Sequence, residues 1–308
     1  MTLAESIRVA LRSLSANKLR TLLTMLGMII GVASVIAVMS IGRGTQASVT
    51  SRISEMGSNL VFVRPGSTTQ GGVRTAQGTA NTLTLQDADA IAASVPGVVA
   101  VAPESTTGGQ VVAGPSNTNT SIYGVTEGYD VVRKYTVEYG EFVNFQQVQA
   151  RSLVAVLGSA VAERLFPEAD PIGQAIRINR TQFRVIGVLK SKGGSGAAFQ
   201  DDLVMVPLTT LQTRLMTQRA TGGQQTVSLI NIQVASEREV DRVKADVADL
   251  LRERHRLFGE DDFTVTSQED TLEALNQVAT IFTLFLGSIA AISLVVGGIG
   301  IMNIMLVS

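Results

Sequence analysis

Cysteine is missing from the 308 residues, and histidine occurs once. The first absence excludes disulfides, thiol catalysis and cysteine-based zinc sites together, and it leaves the redox compartment open. The second leaves His255 without another histidine to share a metal. Its near neighbours are Arg252, Arg254 and Arg256, so it reads as part of a solvated helix face. Charge is also scarce. Asp, Glu, Lys and Arg make up 17% of the chain, against about a quarter in soluble domains, and part of this chain therefore belongs in lipid. The mean hydropathy of +0.27 agrees. A formal net charge of −1 lacks the basic surface that a phosphate backbone requires, which argues against nucleic acid as a partner.

Motifs of catalysis are absent as well. No GxxxxGK[ST] occurs, and "KSKGGSGAAF" (Lys190 to Phe199) has glycines at the wrong spacing, so it reads as a flexible hairpin tip. No serine stands in a nucleophile elbow. The acidic clusters Asp201–Asp202 and Glu260–Asp261–Asp262 read as turn and capping carboxylates. The expectation is a chain that is not an enzyme, with no catalytic, cofactor or metal site of its own.

Two long uncharged runs dominate what is present. The first, "TLLTMLGMIIGVASVIAVMSIG" from Thr21 to Gly42, matches a hydrocarbon core about 30 Å thick at about 1.5 Å per residue. A cleaved signal peptide would have an apolar region of only about 7 to 15 residues, shorter than this run. The second run, uncharged from Ala274 to Ser308, exceeds what a bilayer needs, and its polar positions Asn276, Gln277, Thr280 and Thr283 come first. Its beginning should project as a stalk, with the span proper at 282–308. After Gly42, Val49, Ile53 and Met56 share one helical face and Gly57 is a stop signal, so the first span also extends as a stalk.

Arg8, Arg12, Lys18 and Arg20 precede the first span against one acid, Glu5, and so act as topology anchors that place the N-terminus in the cytoplasm and the region between the spans outside. Leu3, Ile7, Ala10, Leu11 and Leu14 recur at helical spacing in this segment. It is an amphipathic helix, either lying along the inner membrane surface or an exposed lead-in. Gly27 and Gly31 form a GxxxG, and Gly297, Gly298 and Gly300 stand in the second run; small residues let membrane helices approach closely, so these are the helix-packing candidates. Asn303 is a candidate for an interhelical hydrogen bond or an interfacial position.

Between the spans, "NLVFVRPG" reads as a strand closed by Pro-Gly, and "STTQGGVRTAQGTAN" as a mobile loop. "TLQDADAIAASVPG" is a helix with Thr84 as N-cap, and a strand starts at Val98. "TVSLINIQVA" is a strand, and "SEREVDRVKADVADLLRERHRL" an amphipathic helix opened by a Ser236/Glu239 capping box, before the strand "DFTVTS". Two strand–helix–strand halves make a split, ferredoxin-like sheet with helices on one face. The short strands between them form an inserted, strand-rich subdomain. The fold class is thus an α+β membrane protein: two transmembrane helices extended as a stalk flank an extracytoplasmic α+β domain. The divisions are residues 1–18 amphipathic helix, 19–42 first span, 43–57 stalk, 58–121 first half of the split sheet, 122–208 insert, 209–267 second half of the split sheet, 268–281 stalk and 282–308 second span.

Several segments, "LRTLLTMLGMIIGVASVIAVMSIGRG", "ISEMGSNLVFVRPG", "VPGVVAVAPE", "VAVLGSAVAERLFPEADPIGQAIRINRTQFRVIGVLK", "VMVPL" and "GGIGIMNIMLVS", resemble in order the MacB-type permeases, the macrolide-exporter group of ABC transporters related to FtsX. The resemblance implies a permease of four spans in the cell's inner or plasma membrane, with a large extracytoplasmic domain between the first two in which the halves of the split sheet form a porter-like part. It implies a separate ATPase subunit carrying ATP and Mg2+, a homodimer, and a membrane-fusion adaptor with an outer-membrane channel. The implied work is mechanotransmission, exporting a drug-like, peptide or lipid-linked substrate. Relatives continue past the position of Ser308, which implies a C-terminally incomplete chain. Without the resemblance, the residues alone leave open a two-span membrane sensor or an assembly scaffold with a ligand-binding extracytoplasmic domain.

Overall fold

The computed structural model describes residues 59–66, 69–70, 73–74, 82–193, 200–216 and 225–307, with residues 29, 32–33, 36–40, 42–44 and 46–47 of the first apolar run and its continuation. The chain divides into two compact units, Met56–Glu269 and Met1–Glu55 with Asp270–Ser308.

Met56–Glu269 is built on a ten-stranded sheet in the order β12-β1-β11-β4-β5-β10-β7-β9-β6, with β8 pairing to β4 and β9. Its first four members are β12 (Phe263–Ser267), β1 (Leu60–Pro65), β11 (Leu229–Val234) and β4 (Val98–Ala113). All three pairings among them are antiparallel. Helix α1 (Leu85–Ser94) joins β1 to β4, and α6 (Val240–His255) joins β11 to β12. Each strand–helix–strand unit therefore receives a strand of the other between its own two strands, which is the split arrangement. The segment after β1 is more than a loop, because Thr69–Gln70 (β2) and Val73–Arg74 (β3) pair as a short hairpin.

Local chemistry sets these elements. Thr84 caps α1 through a closed box with Asp87, and Pro96-Gly97 ends the helix, Gly97 taking φ +89°. On α6, Val240, Val243, Val247 and Leu251 recur at helical spacing and are buried against Val61, Val63, Ile230 and Ile232. The Ser236/Glu239 box closes on one side only. Ser236 accepts from the Arg238 N–H, while the Glu239 carboxylate accepts from Arg242 at 3.1 Å. The sheet's other face is also covered, against the expectation of helices on one face. Leu60, Phe62, Ala102 and Leu229 pack there with Tyr129 and Val132 of α2 (Tyr129–Val132).

The rest of the sheet is the insert: β5 (Ser116–Val125), β6 (Val137–Gly140), β7 (Val154–Leu157), β8 (Ala175–Ile178), β9 (Thr181–Leu189) and β10 (Leu203–Pro207). Helix α3 (Phe145–Gln149) precedes β7, α4 (Ser159–Leu165) follows it, and α5 (Leu208–Thr210) runs on from β10 into a π turn, Leu211–Leu215. Helix α4 buries Val161, Ala162 and Leu165 in an apolar cluster with Ile176, Phe183 and Val204. The insert has no sheet of its own. Strand β4, 16 residues long, pairs with β11 from Val98 to Glu104 and with β5 from Glu104 to Ala113.

In the other unit, the described residues between 29 and 47 are all helical. Helix α7 (Gln268–Val307) has 40 residues, about 60 Å at the usual rise. Gln46 Nε2 donates to Asn276 Oδ1 at 2.6 Å. Among the described residues one helical segment, Gln268–Ile289, contains a stretch long and apolar enough to cross a membrane.

Candidate functional site

Where β4 passes from one partner strand to the next, Glu104 is only 6% exposed. It lies opposite Leu229 of β11 and Val125 of β5, so it belongs to both halves of the sheet. A buried carboxylate needs donors, and two side chains from different parts of the chain supply them. The Tyr129 hydroxyl donates to Glu104 Oε2 at 2.5 Å, and Asn231 Nδ2 donates to the same oxygen at 3.1 Å and to the Ala102 carbonyl at 2.9 Å. Burial, then the Glu104 charge, pushes the Tyr129 phenol well above its ordinary range, so the hydroxyl stays a donor.

Around this seam Tyr135 stacks on Tyr129 with ring centroids 6.3 Å apart. Burial pushes the Tyr135 phenol up to about 12. The Lys192 ammonium lies 3.7 Å from the Tyr135 ring centroid and donates to the Arg133 carbonyl at 2.8 Å. Burial, then the Arg133 charge, brings that lysine down to about 8. Asp201 is buried and accepts from Ser191 Oγ and from the backbone N–H groups of Lys192 and Gly193, the capping work expected of it. Asp202 pairs with Arg164 at 2.7 Å.

A second polar cluster gathers at the other end of β12 from α7. His255 does not lie on a solvated helix face: its side chain is 11% exposed. Nδ1 meets both Asp262 oxygens, at 2.9 and 3.1 Å, and Nε2 meets Asp87 Oδ2 at 3.3 Å. The sequence pointed the other way because one carboxylate comes from α1, far off in the chain, and the other returns only after Arg256 turns the chain through φ 55°. Hydrogen bonds to the Asp262 and Asp87 carboxylates push the imidazole up to about 9, against the opposing effect of burial. Burial would raise the Asp87 carboxyl, but His255, Thr84 and Arg254 together hold it below the ordinary range. The two carboxylates approach opposite nitrogens of one ring and do not converge on a point. Among the described residues no group of three or more His, Cys, Asp or Glu side chains is placed to hold a metal ion.

Gly27, Gly31, Arg8, Arg12, Lys18 and Arg20 lie outside the described residues, as does the glycine-rich tip at 194–199. Gly297, Gly298, Gly300 and Asn303 fall within α7. The sequence reading passed over Glu104, Tyr129, Asn231 and Asp87. Two left a trace there: Glu104 and Asn231 are polar residues inside the apolar strands "VVAVAPES" and "LINIQV".

The split sheet and its insert give the comparison with known proteins its structural ground. The family profile of the MacB-like periplasmic core domain matches residues 21–250. The chain belongs to this family. Relatives named macrolide export ATP-binding/permease protein MacB are 40% identical in Bdellovibrio bacteriovorus and 41% identical in Rhodospirillum rubrum, each over 307 residues and 99% of this chain. The chain spans only 46% and 45% of those two relatives. Among solved structures, the periplasmic region of MacB from Actinobacillus actinomycetemcomitans matches with a TM-score of 0.60 at 20% identity, over 73% of this chain and 95% of that one. The extracellular domain of the transporter YknZ from Gram-positive bacteria matches with a TM-score of 0.55 at 19% identity, over 68% of this chain and all of that one. At such identity these likenesses concern the fold, the α+β core of the MacB-like periplasmic domain.

Proposed function

We propose that this chain is a permease component of an ABC-type efflux or mechanotransmission system, coupling ATP hydrolysis by an ATPase to movement of the extracytoplasmic core. ATP and Mg2+ would sit on that ATPase, outside residues 1–308. The permease would act as a homodimer in the inner or plasma membrane, with two spans in this part and the N-terminus cytoplasmic. A membrane-fusion adaptor and an outer-membrane channel are further proposed partners, and the cargo is a drug-like, peptide or lipid-linked molecule. The observation that carries the reading is the join of strand to helix. β12 ends at Ser267 and α7 begins at Gln268, both residues buried, so the sheet strand continues without a linker into the long apolar helix. A displacement of the helix would then act on β12. Family membership supports the same reading, as do the ATP-binding/permease names of the relatives.

The absence of cysteine allows a clean test. Val99 on β4 is 62% exposed, so Val99→Cys is the one spin-label site within residues 1–308, any cysteine elsewhere in the full-length permease or its ATPase being replaced first. In the full-length permease with its ATPase, the distance between labels in a dimer should change when a non-hydrolysable ATP analogue binds. A distance that ignores nucleotide would overturn the coupling, and a core that instead responds to a ligand without nucleotide would establish the sensor.

A further inference from the structure

We propose that His255 is a proton-held clasp that fastens the approach to β12 onto helix α1, and that alkaline solution releases it. A neutral imidazole has one N–H and one lone pair, so it can donate to only one carboxylate. Here each ring nitrogen faces a carboxylate, Asp262 on Nδ1 and Asp87 on Nε2. Both contacts are attractive only when the ring carries two protons. Removing one turns a lone pair toward a carboxylate oxygen in a site that is largely closed to water.

The surroundings reinforce the charged form. Asp87 comes from α1, where its Oδ2 also accepts from the Thr84 hydroxyl at 2.7 Å and the Thr84 N–H at 2.9 Å. Arg254, from the same helix as His255, occupies the other Asp87 oxygen at 2.8 Å. Asp262 comes from the loop that leads into β12, and beside it Asp261 is paired with Arg252 at 2.7 Å. Phe263, the first residue of β12, sets its ring edge-on to the imidazole with centroids 6.1 Å apart. The Asp262 carbonyl accepts from the Gly66 N–H at 2.7 Å, so the clasp also bears on the end of β1. Three elements thus meet on one ring.

The ring's raised pKa, about 9 against an ordinary 6.5, fixes the direction of the response. A raised folded-state value gives stability that is complete below the ordinary value and is lost as pH rises through the folded one. The clasp therefore holds at neutral pH and lets go near pH 9. Because Asp262 leads directly into β12, the release frees the start of that strand. The clasp itself does not depend on what the helix transmits.

The chain's one histidine gives a single imidazole resonance. The full chain, purified without a histidine tag, 13C-labelled at histidine and held in detergent micelles, should titrate with a midpoint near pH 9. Asp262→Asn should lower that midpoint by at least about one unit, the usual effect of losing an adjacent opposite charge. Through the wild-type midpoint, amide exchange at Gly66 should rise by more than the exchange at Ile230 in the middle of the sheet. A midpoint in the ordinary histidine range overturns the proposal whether or not the variant folds. So does a midpoint near 9 with Gly66 and Ile230 exchange rising in step, since the ring would then be a charged pair that fastens nothing.

Discussion

At the residue scale, the core is governed by a few polar side chains buried where strands change partners. Glu104 is held by Tyr129 and Asn231, and removing one donor leaves a buried carboxylate under-satisfied rather than merely deleting one hydrogen bond. Tyr129→Phe should therefore cost about 1–3 kcal/mol in urea unfolding monitored by circular dichroism. Tyr129→Phe combined with Glu104→Gln should cost less than the sum of the two single changes, because the pair is one interaction. The charged cluster at His255 adds a pH dependence with two edges. The Asp87 carboxyl is depressed, so its contribution is complete above its ordinary 3.8 and is lost in stronger acid. The imidazole's contribution fades as pH rises through about 9. Thermal unfolding followed across pH should thus show a plateau from about pH 4 to about pH 6.5, falling in stronger acid and declining on the alkaline side until about pH 9.

At the element scale, the segments with strong local signals were legible in the sequence. The Thr84 cap, the Pro-Gly stop after α1, the valine stripe of α6 and the strands of the insert other than β6 follow from spacing and capping. Three features were not. The clasp joins His255 and Asp262, seven residues apart, to Asp87 far off in the chain, so no short window of sequence contains the whole of it. Helix α2 has four residues, too few to display a period, although it covers one face of the sheet. Close backbone approaches leave only a glycine as their mark. A Cβ at Gly158 would stand 2.2 Å from the Asp201 carbonyl oxygen, and one at Gly187 would stand 2.3 Å from that of Glu141. Neither place has a flexible side chain that could give way. Gly158→Ala and Gly187→Ala should each lower stability by at least about 1–3 kcal/mol, the usual penalty of forced overpacking, whereas Gly108→Ala, with open space around its Cβ, should not. Comparing the three melting temperatures checks this.

At the scale of the whole molecule, the boundary between the two units at Glu269–Asp270 is the place to interrupt the proposed transmission, since Ser267 and Gln268 are themselves buried in the core. Inserting Gly-Gly-Ser there should leave nucleotide hydrolysis by the ATPase intact while abolishing the nucleotide-dependent label movement at position 99, measured on the same preparation. Loss of hydrolysis together with movement would instead mean that the insertion had disturbed the assembly.

Strand β4 carries a consequence for how such a protein can vary. Its 16 residues serve two neighbours end to end, and the pleat alternates faces at every step. Dropping a single residue between Glu104 and Ala113 would turn the insert's contacts inside out while leaving those with β11 in place. The insert is thus no cassette to be excised or traded between relatives at its own borders: whoever moves it must carry β4 along, and with it the strand β11 to which β4 is already paired.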